Sequence, residues 1–126
     1  MNPSTSPVRA VAALGILFWL ASGLWAFASP SSFYDAVATY PPYNAHFLRD
    51  AGAFMLGLGG ALGLGLWWRD ALAAALGGSA VGGALHVAAH VIDRHQGGSL
   101  GDTLALTVLA LAFATAAVAQ RRRAPG

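Results

Sequence analysis

The chain has 126 residues, of which 56% are hydrophobic and 10% charged, with a formal net charge of +2 and no cysteine. Soluble domains carry about 25% charged residues, so this composition excludes the ordinary soluble class and indicates a membrane protein. The missing cysteine excludes disulfides, thiolate nucleophiles, CxxC redox pairs and Cys-ligated zinc or iron–sulfur sites.

Residues 1–8 form a short polar leader containing Pro3 and Pro7. Arg9 then precedes an apolar run, 10–28, that at about 1.5 Å per residue nearly matches a hydrocarbon core of roughly 30 Å. This is read as the first transmembrane helix. A rival reading is a cleaved secretory signal, since Ala26-Phe27-Ala28 before Ser29 has the A-x-A form of a cleavage site. The length of the run, with Trp19 and Trp25 inside it, favours a retained span.

Residues 29–47 make the one substantial loop, placed outside the cytoplasm. Ser29 to Ala38 is predicted as a short interfacial helix that Pro41-Pro42 must stop. Trp25, Tyr34, Tyr40, Tyr43 and Phe47 read as an aromatic belt at one water boundary. Asn44 is the expected N-cap of a second long helix, its membrane part spanning 48–68. Trp67-Trp68-Arg69 marks the opposite boundary, and Arg69-Asp70 allows only a tight turn before the third span, 71–92. A glycine-containing loop leads to the fourth span, 103–119, which Arg121-Arg122-Arg123 ends.

The expected fold is therefore all-α: a single integral membrane domain, 1–126, built as an antiparallel four-helix bundle. Arg9, Arg69 and Arg121 to Arg123 share one side, whereas Arg49 and Arg94 lie on the other. By the positive-inside rule both termini are cytoplasmic. The basic residues cluster at span ends, so the lipid bilayer is the partner and no nucleic acid is inferred.

At 100° per residue, Asp50, Ala53, Gly57, Gly60, Ala61 and Leu64 share a face with His46. The matching face around His86 holds Ala75, Ser79, Gly82, Gly83, His90 and Asp93. Thirteen of the sixteen glycines fall between positions 52 and 101, and Gly59xxxGly63 and Gly78xxxGly82 have the small-xxx-small form that lets helices approach in lipid. Packing these two small faces together predicts that His46, Arg49, Asp50, His86, His90 and Asp93 gather in one outward-facing pocket. His86 would lie about 9 Å below the end of its span and needs a partner, because ionisable groups at such depth turn toward the bundle.

Three uses of that pocket compete. Binding of a metal ion or small redox cofactor is the leading one; a non-catalytic membrane subunit or structural bundle, with the cluster as a latch, is the alternative. In the first, Arg49, Asp50 and Asp93 are an interhelical polar latch, with His86 and His90 hydrogen-bonded across helices. In the second, His46, Asp50, His86 and His90 bind a divalent metal, or His46 opposes His86 or His90 across a haem. His86 and His90 share one helical stripe and cannot both ligate the same haem iron. The third is proton or quinone chemistry at a histidine beside a carboxylate.

Tyr43-Asn44-Ala-His46-Phe-Leu-Arg49-Asp50-Ala-Gly52 and the later His86-x-x-x-His90 resemble small bacterial four-helix membrane proteins of the DoxX-like class. The resemblance covers most of the chain from Phe33 onward and implies a four-helix bundle in a bacterial inner membrane, with no established activity. Some members of that class are associated with quinone-linked oxidoreductases, which implies a redox-enzyme subunit as one partner. The exposed small faces suggest a homo-oligomer as another. The cysteines of some such relatives are absent.

Overall fold

The structure, a computed structural model, describes residues 7–68 and 71–123. The expected turn at Arg69-Asp70 and most of the polar leader lie outside the described residues. The described chain is all-helical: α1 (Pro7–Ala28), α2 (Pro30–Ala36), α3 (Ala45–Trp67), α4 (Leu72–Ile92) and α5 (Leu100–Arg123). Every helix except α2 is long and apolar enough to cross a membrane.

Local chemistry sets the boundaries. Pro7 occupies the first turn of α1, where its missing N–H costs nothing. The interfacial helix predicted over 29–38 is α2, and it ends at Ala36, short of Pro41-Pro42. Asn44 caps α3 as expected, its side-chain oxygen accepting from the Phe47 N–H at 3.1 Å. The last helix begins three residues before the predicted 103. There Ser99 and Asp102 form a reciprocal cap: the Ser99 N–H and hydroxyl donate to the Asp102 carboxylate at 3.0 and 2.8 Å, and the Asp102 N–H donates to the Ser99 Oγ at 3.1 Å.

The helices pair unequally. α1 lies along α3 and α4 lies along α5, while α3 and α4 touch far less despite being only a few residues apart in the chain. The expected packing of the two small faces against each other is thereby corrected. Gly83 of α4 rests against Ala110 of α5, and Gly52 and Gly59 of α3 rest against Gly23, Phe27 and Leu20 of α1. Among the described residues, nothing lies within 4 Å of where a Cβ would sit on Gly57, Gly60, Gly63, Gly77, Gly78 or Gly82. Both small-xxx-small motifs are thus wholly or partly open. The reason lies in the periodicity: the buried side of α3 is Leu48, Gly52, Gly59, Leu62 and Gly65. This stripe, which sets Leu48 and Leu62 among glycines, competes with the face through Ala53, Gly57, Gly60 and Ala61 and wins. A large side chain beside a glycine fills a groove, whereas small against small leaves little to touch.

One core joins the pairs. Trp19 of α1, Leu62 of α3, Leu72 and Leu76 of α4 and Phe113 of α5 are buried together. Phe113 stacks nearly parallel to Trp19 with ring centroids 6.5 Å apart. A second, smaller cluster of Ala26, Phe33 and Leu48 fastens α2 over the ends of α1 and α3. Large apolar side chains also face outward on every long helix, among them Leu17, Phe54, Leu85 and Val108, each more than 60% exposed. In water such faces would be an aggregation surface; against lipid they are the expected exterior.

Candidate functional site

The inward side of α4 continues from Leu72, Leu76, Ser79 and Gly83 to His86 and His90 at steps of three or four residues. Both imidazoles are therefore carried on the bundle-facing stripe and are only partly exposed. They sit side by side, with ring centroids 5.0 Å apart. His86 turns away from lipid, as its depth in the span demands.

Opposite them stands the loop between α2 and α3 rather than the His46 face. The Tyr40 hydroxyl lies 3.3 Å from His90 Nδ1, and the two rings meet edge to face at 5.7 Å. The turn after α4 holds Tyr40 in place. Gly98 has a φ of +75°, and a Cβ there would collide with the Tyr40 hydroxyl; at Gly97 it would stand 2.9 Å from the Thr39 carbonyl oxygen. Glycine at 98 is needed both for the left-handed backbone and for the space.

Between loop and helix lies a cleft of about 340 Å³. Tyr34, Tyr40, Pro42, Phe47 and Leu48 form one side, and His86, Ala89, His90 and Asp93 form the other, with Asn44 at the edge. Tyr34 is itself braced by Tyr43, edge to face at 5.2 Å. The walls are chiefly apolar and aromatic. Their polar groups are two imidazoles, two phenols, an amide and one carboxylate.

This cleft holds three of the six residues expected to converge. His86, His90 and Asp93 line it; His46, Arg49 and Asp50 do not. His46 and Asp50 pair with each other one turn apart on the open side of α3, Nε2 to Oδ2 at 3.5 Å, with side chains 87% and 55% exposed. Arg49 is also exposed. Asp93 accepts a hydrogen bond from the Gln96 side chain at 2.9 Å, within its own turn. The expected latch of Arg49, Asp50 and Asp93 thus does not bridge α3 and α4. The metal set of His46, Asp50, His86 and His90 is divided between two surfaces. Among the described residues, no three His, Asp or Glu side chains come together as a metal site. Haem fits no better, because His46, the ligand meant to oppose α4, is outside the cleft.

Comparison with protein-family models, with curated proteins and with solved structures returns no match. The functional reading rests on the cleft itself.

Sequence reasoning missed Tyr34 and Tyr40 as cleft residues by assigning them to membrane anchoring. A signal was present in Gly97-Gly98, two adjacent residues without side chains at the mouth of a helix that carries two histidines. Their cause is the phenol packed above them.

Proposed function

We propose that this chain is a multi-pass protein of a bacterial inner membrane, an antiparallel four-helix bundle with both termini cytoplasmic, whose extracytoplasmic cleft binds a small, flat, lipid-soluble carbonyl compound of the quinone type. The observation that carries this reading is the convergence of His86, His90 and the Tyr40 hydroxyl on one apolar, aromatic-walled cleft. Ligand sites of this kind have mostly apolar walls and a few placed polar groups that fix orientation. Tyr34, Tyr40 and Phe47 offer faces and edges to a ring. The phenol and the imidazoles offer hydrogen bonds to its carbonyl oxygens. The position suits a ligand that arrives through lipid, since His86 lies within a span and Asp93 at its end.

The two-sided distribution of arginine supports the orientation, and the core contributions of Val8, Ala12, Trp19 and Ala26 support a retained first span over residues 10–28. The proposed ligand class agrees with the resemblance to DoxX-like proteins, some of which are associated with quinone-linked oxidoreductases. A role as a subunit of such an enzyme follows as part of the same proposal.

Equilibrium binding of a decyl-chain benzoquinone to purified protein in lipid nanodiscs tests the reading. His86→Ala and Tyr40→Phe should each weaken binding about tenfold while helicity is unchanged, since a tenfold change corresponds to roughly one hydrogen bond to a buried group. Binding that is absent in the wild-type protein, or equal in all three, overturns it. The Tyr40–His90 contact favours one second reading, a latch that ties the loop to α4 with no ligand. Under that reading Tyr40→Phe lowers the melting temperature and the quinone does not bind.

A further inference from the structure

The opposite end of the molecule carries a second opening with different chemistry. The start of α4 lies beside the end of α5, and between them is a cleft of about 590 Å³ lined by Ala73, Ala74, Ala117, Val118, Arg121 and Arg122. A second cleft of about 360 Å³ runs along the far side of α5, from Ala114 and Thr115 to Arg122. Val118 and Arg122 belong to both. Val118 is therefore a ridge with a groove on each flank, and Arg122 stands at the head of the pair.

The floors of both grooves are apolar. The one hydroxyl among them, Thr115, is already committed to the carbonyl oxygens of Leu111 and Ala112 at 2.9 and 3.0 Å. Among the described residues, no acidic side chain lines either groove. Among the described residues, the two guanidiniums are thus the only charged groups lining them, carried at the end of a helix long and apolar enough to span a membrane. Exposed Trp67 and Trp68, which close α3 just before α4 begins, mark the headgroup level at that end.

We infer that the α4–α5 end is a binding site for one anionic diacyl phospholipid. Its phosphate is held by Arg121 and Arg122, and its two acyl chains lie on either side of Val118. A guanidinium matches a phosphate with paired, charge-assisted hydrogen bonds, whereas a neutral zwitterionic headgroup offsets that attraction with its own ammonium. Basic pockets between helix ends at the cytoplasmic surface are the usual way a membrane protein selects acidic lipids. The alanines explain the shape. At 73, 74, 114 and 117 a longer side chain would fill the space that an acyl chain takes.

Native mass spectrometry of the full chain, released from nanodiscs containing equal phosphatidylglycerol and phosphatidylcholine, tests the site. The wild-type protein should retain one phosphatidylglycerol at least tenfold more often than phosphatidylcholine. Arg121→Gln with Arg122→Gln should abolish that preference. Ala74→Phe, which leaves both charges in place and substitutes an exposed position, should reduce retention about tenfold by blocking one groove. Helicity by circular dichroism should be the same for all. Equal retention of the two lipids, or undiminished phosphatidylglycerol on the double Gln variant, overturns the inference. A site for free phosphate would give a different pattern: inorganic phosphate at millimolar concentration would displace the lipid, and Ala74→Phe would change nothing. That result also overturns it.

Discussion

The α1–α3 seam and the α3–α4 hairpin are built from the same kind of residue and behave in opposite ways. Both are rich in glycine, and the hairpin has the more regular glycine spacing and the shorter connection. Yet it is along the seam that backbones meet. A Cβ on Gly23 would stand 2.8 Å from the Gly52 carbonyl oxygen and 2.9 Å from the Leu56 nitrogen. A Cβ on Gly60 or Gly78 would meet nothing among the described residues. Glycine in a membrane helix permits close approach; it does not select the partner. Selection comes from the large residues beside it. On α3 these are Leu48 and Leu62, which point with Gly52 and Gly59 toward α1.

The sharpest way to break this contrast is to put a large side chain on each surface. Gly52→Leu should abolish the folded bundle, because the obstructing atoms are the Gly23 carbonyl oxygen at 2.7 Å and the Phe27 nitrogen at 2.8 Å, and backbone cannot rotate aside as a side chain can. Overpacking that merely shifts side chains costs about 1–3 kcal/mol. Here two helices must separate along their length, and the expected outcome is loss of the monodisperse peak in size-exclusion chromatography with no measurable unfolding transition. Gly60→Leu on the hairpin face should give a normal peak. If Gly52→Leu is tolerated as well as Gly60→Leu, the seam is not where the helices pack.

A second test concerns what couples the two helix pairs. Phe113 of α5 is fully buried, stacks on Trp19 and faces Gly15 of α1, so it reaches from one pair into the other. Phe113→Ala should cost about 3 kcal/mol in reversible unfolding in mixed micelles, at the low end of Phe-to-Ala values. The reference is lipid rather than water, so mainly packing contacts are lost. A change under about 1 kcal/mol would mean that the pairs associate by some other route.

Much of this architecture was legible from residues 10–119. The spans read from apolar length correspond to α1, α3, α4 and α5, and Asn44 caps where its side chain predicts. Pro41-Pro42 lies beyond the end of the short helix it was expected to stop. The last helix starts earlier than predicted because Asp102, instead of belonging to the loop, is engaged with Ser99 in a cap. Helix pairing was not legible. The face through His46 stands out for its small residues, but hydrophobic periodicity fixes a buried side only when the exterior is polar, and here the exterior is lipid. The candidate site was half legible for the same reason. His86 and His90 follow from the α4 stripe, whereas Tyr40 reaches them from a loop whose path no periodicity encodes.

The smallest expected effect is the most discriminating for the open face. At a packed glycine an added methyl is costly, and at an unpacked one it removes only the backbone freedom that glycine brings to a helix. That freedom is worth about 1 kcal/mol relative to alanine. Gly60→Ala and Gly78→Ala should therefore leave thermal stability unchanged or raise it by up to about that amount, and Gly57→Ala should behave alike, since nothing lies near any of the three among the described residues. Measured in dilute nanodiscs with one chain per disc, this is the behaviour of a face exposed to lipid. The same substitutions repeated at high protein density give the comparison its second half. A loss of stability that appears only there would assign the open glycine row of α3 and α4 to contact with another copy of the chain, because a methyl that is harmless against an acyl chain obstructs a neighbouring backbone.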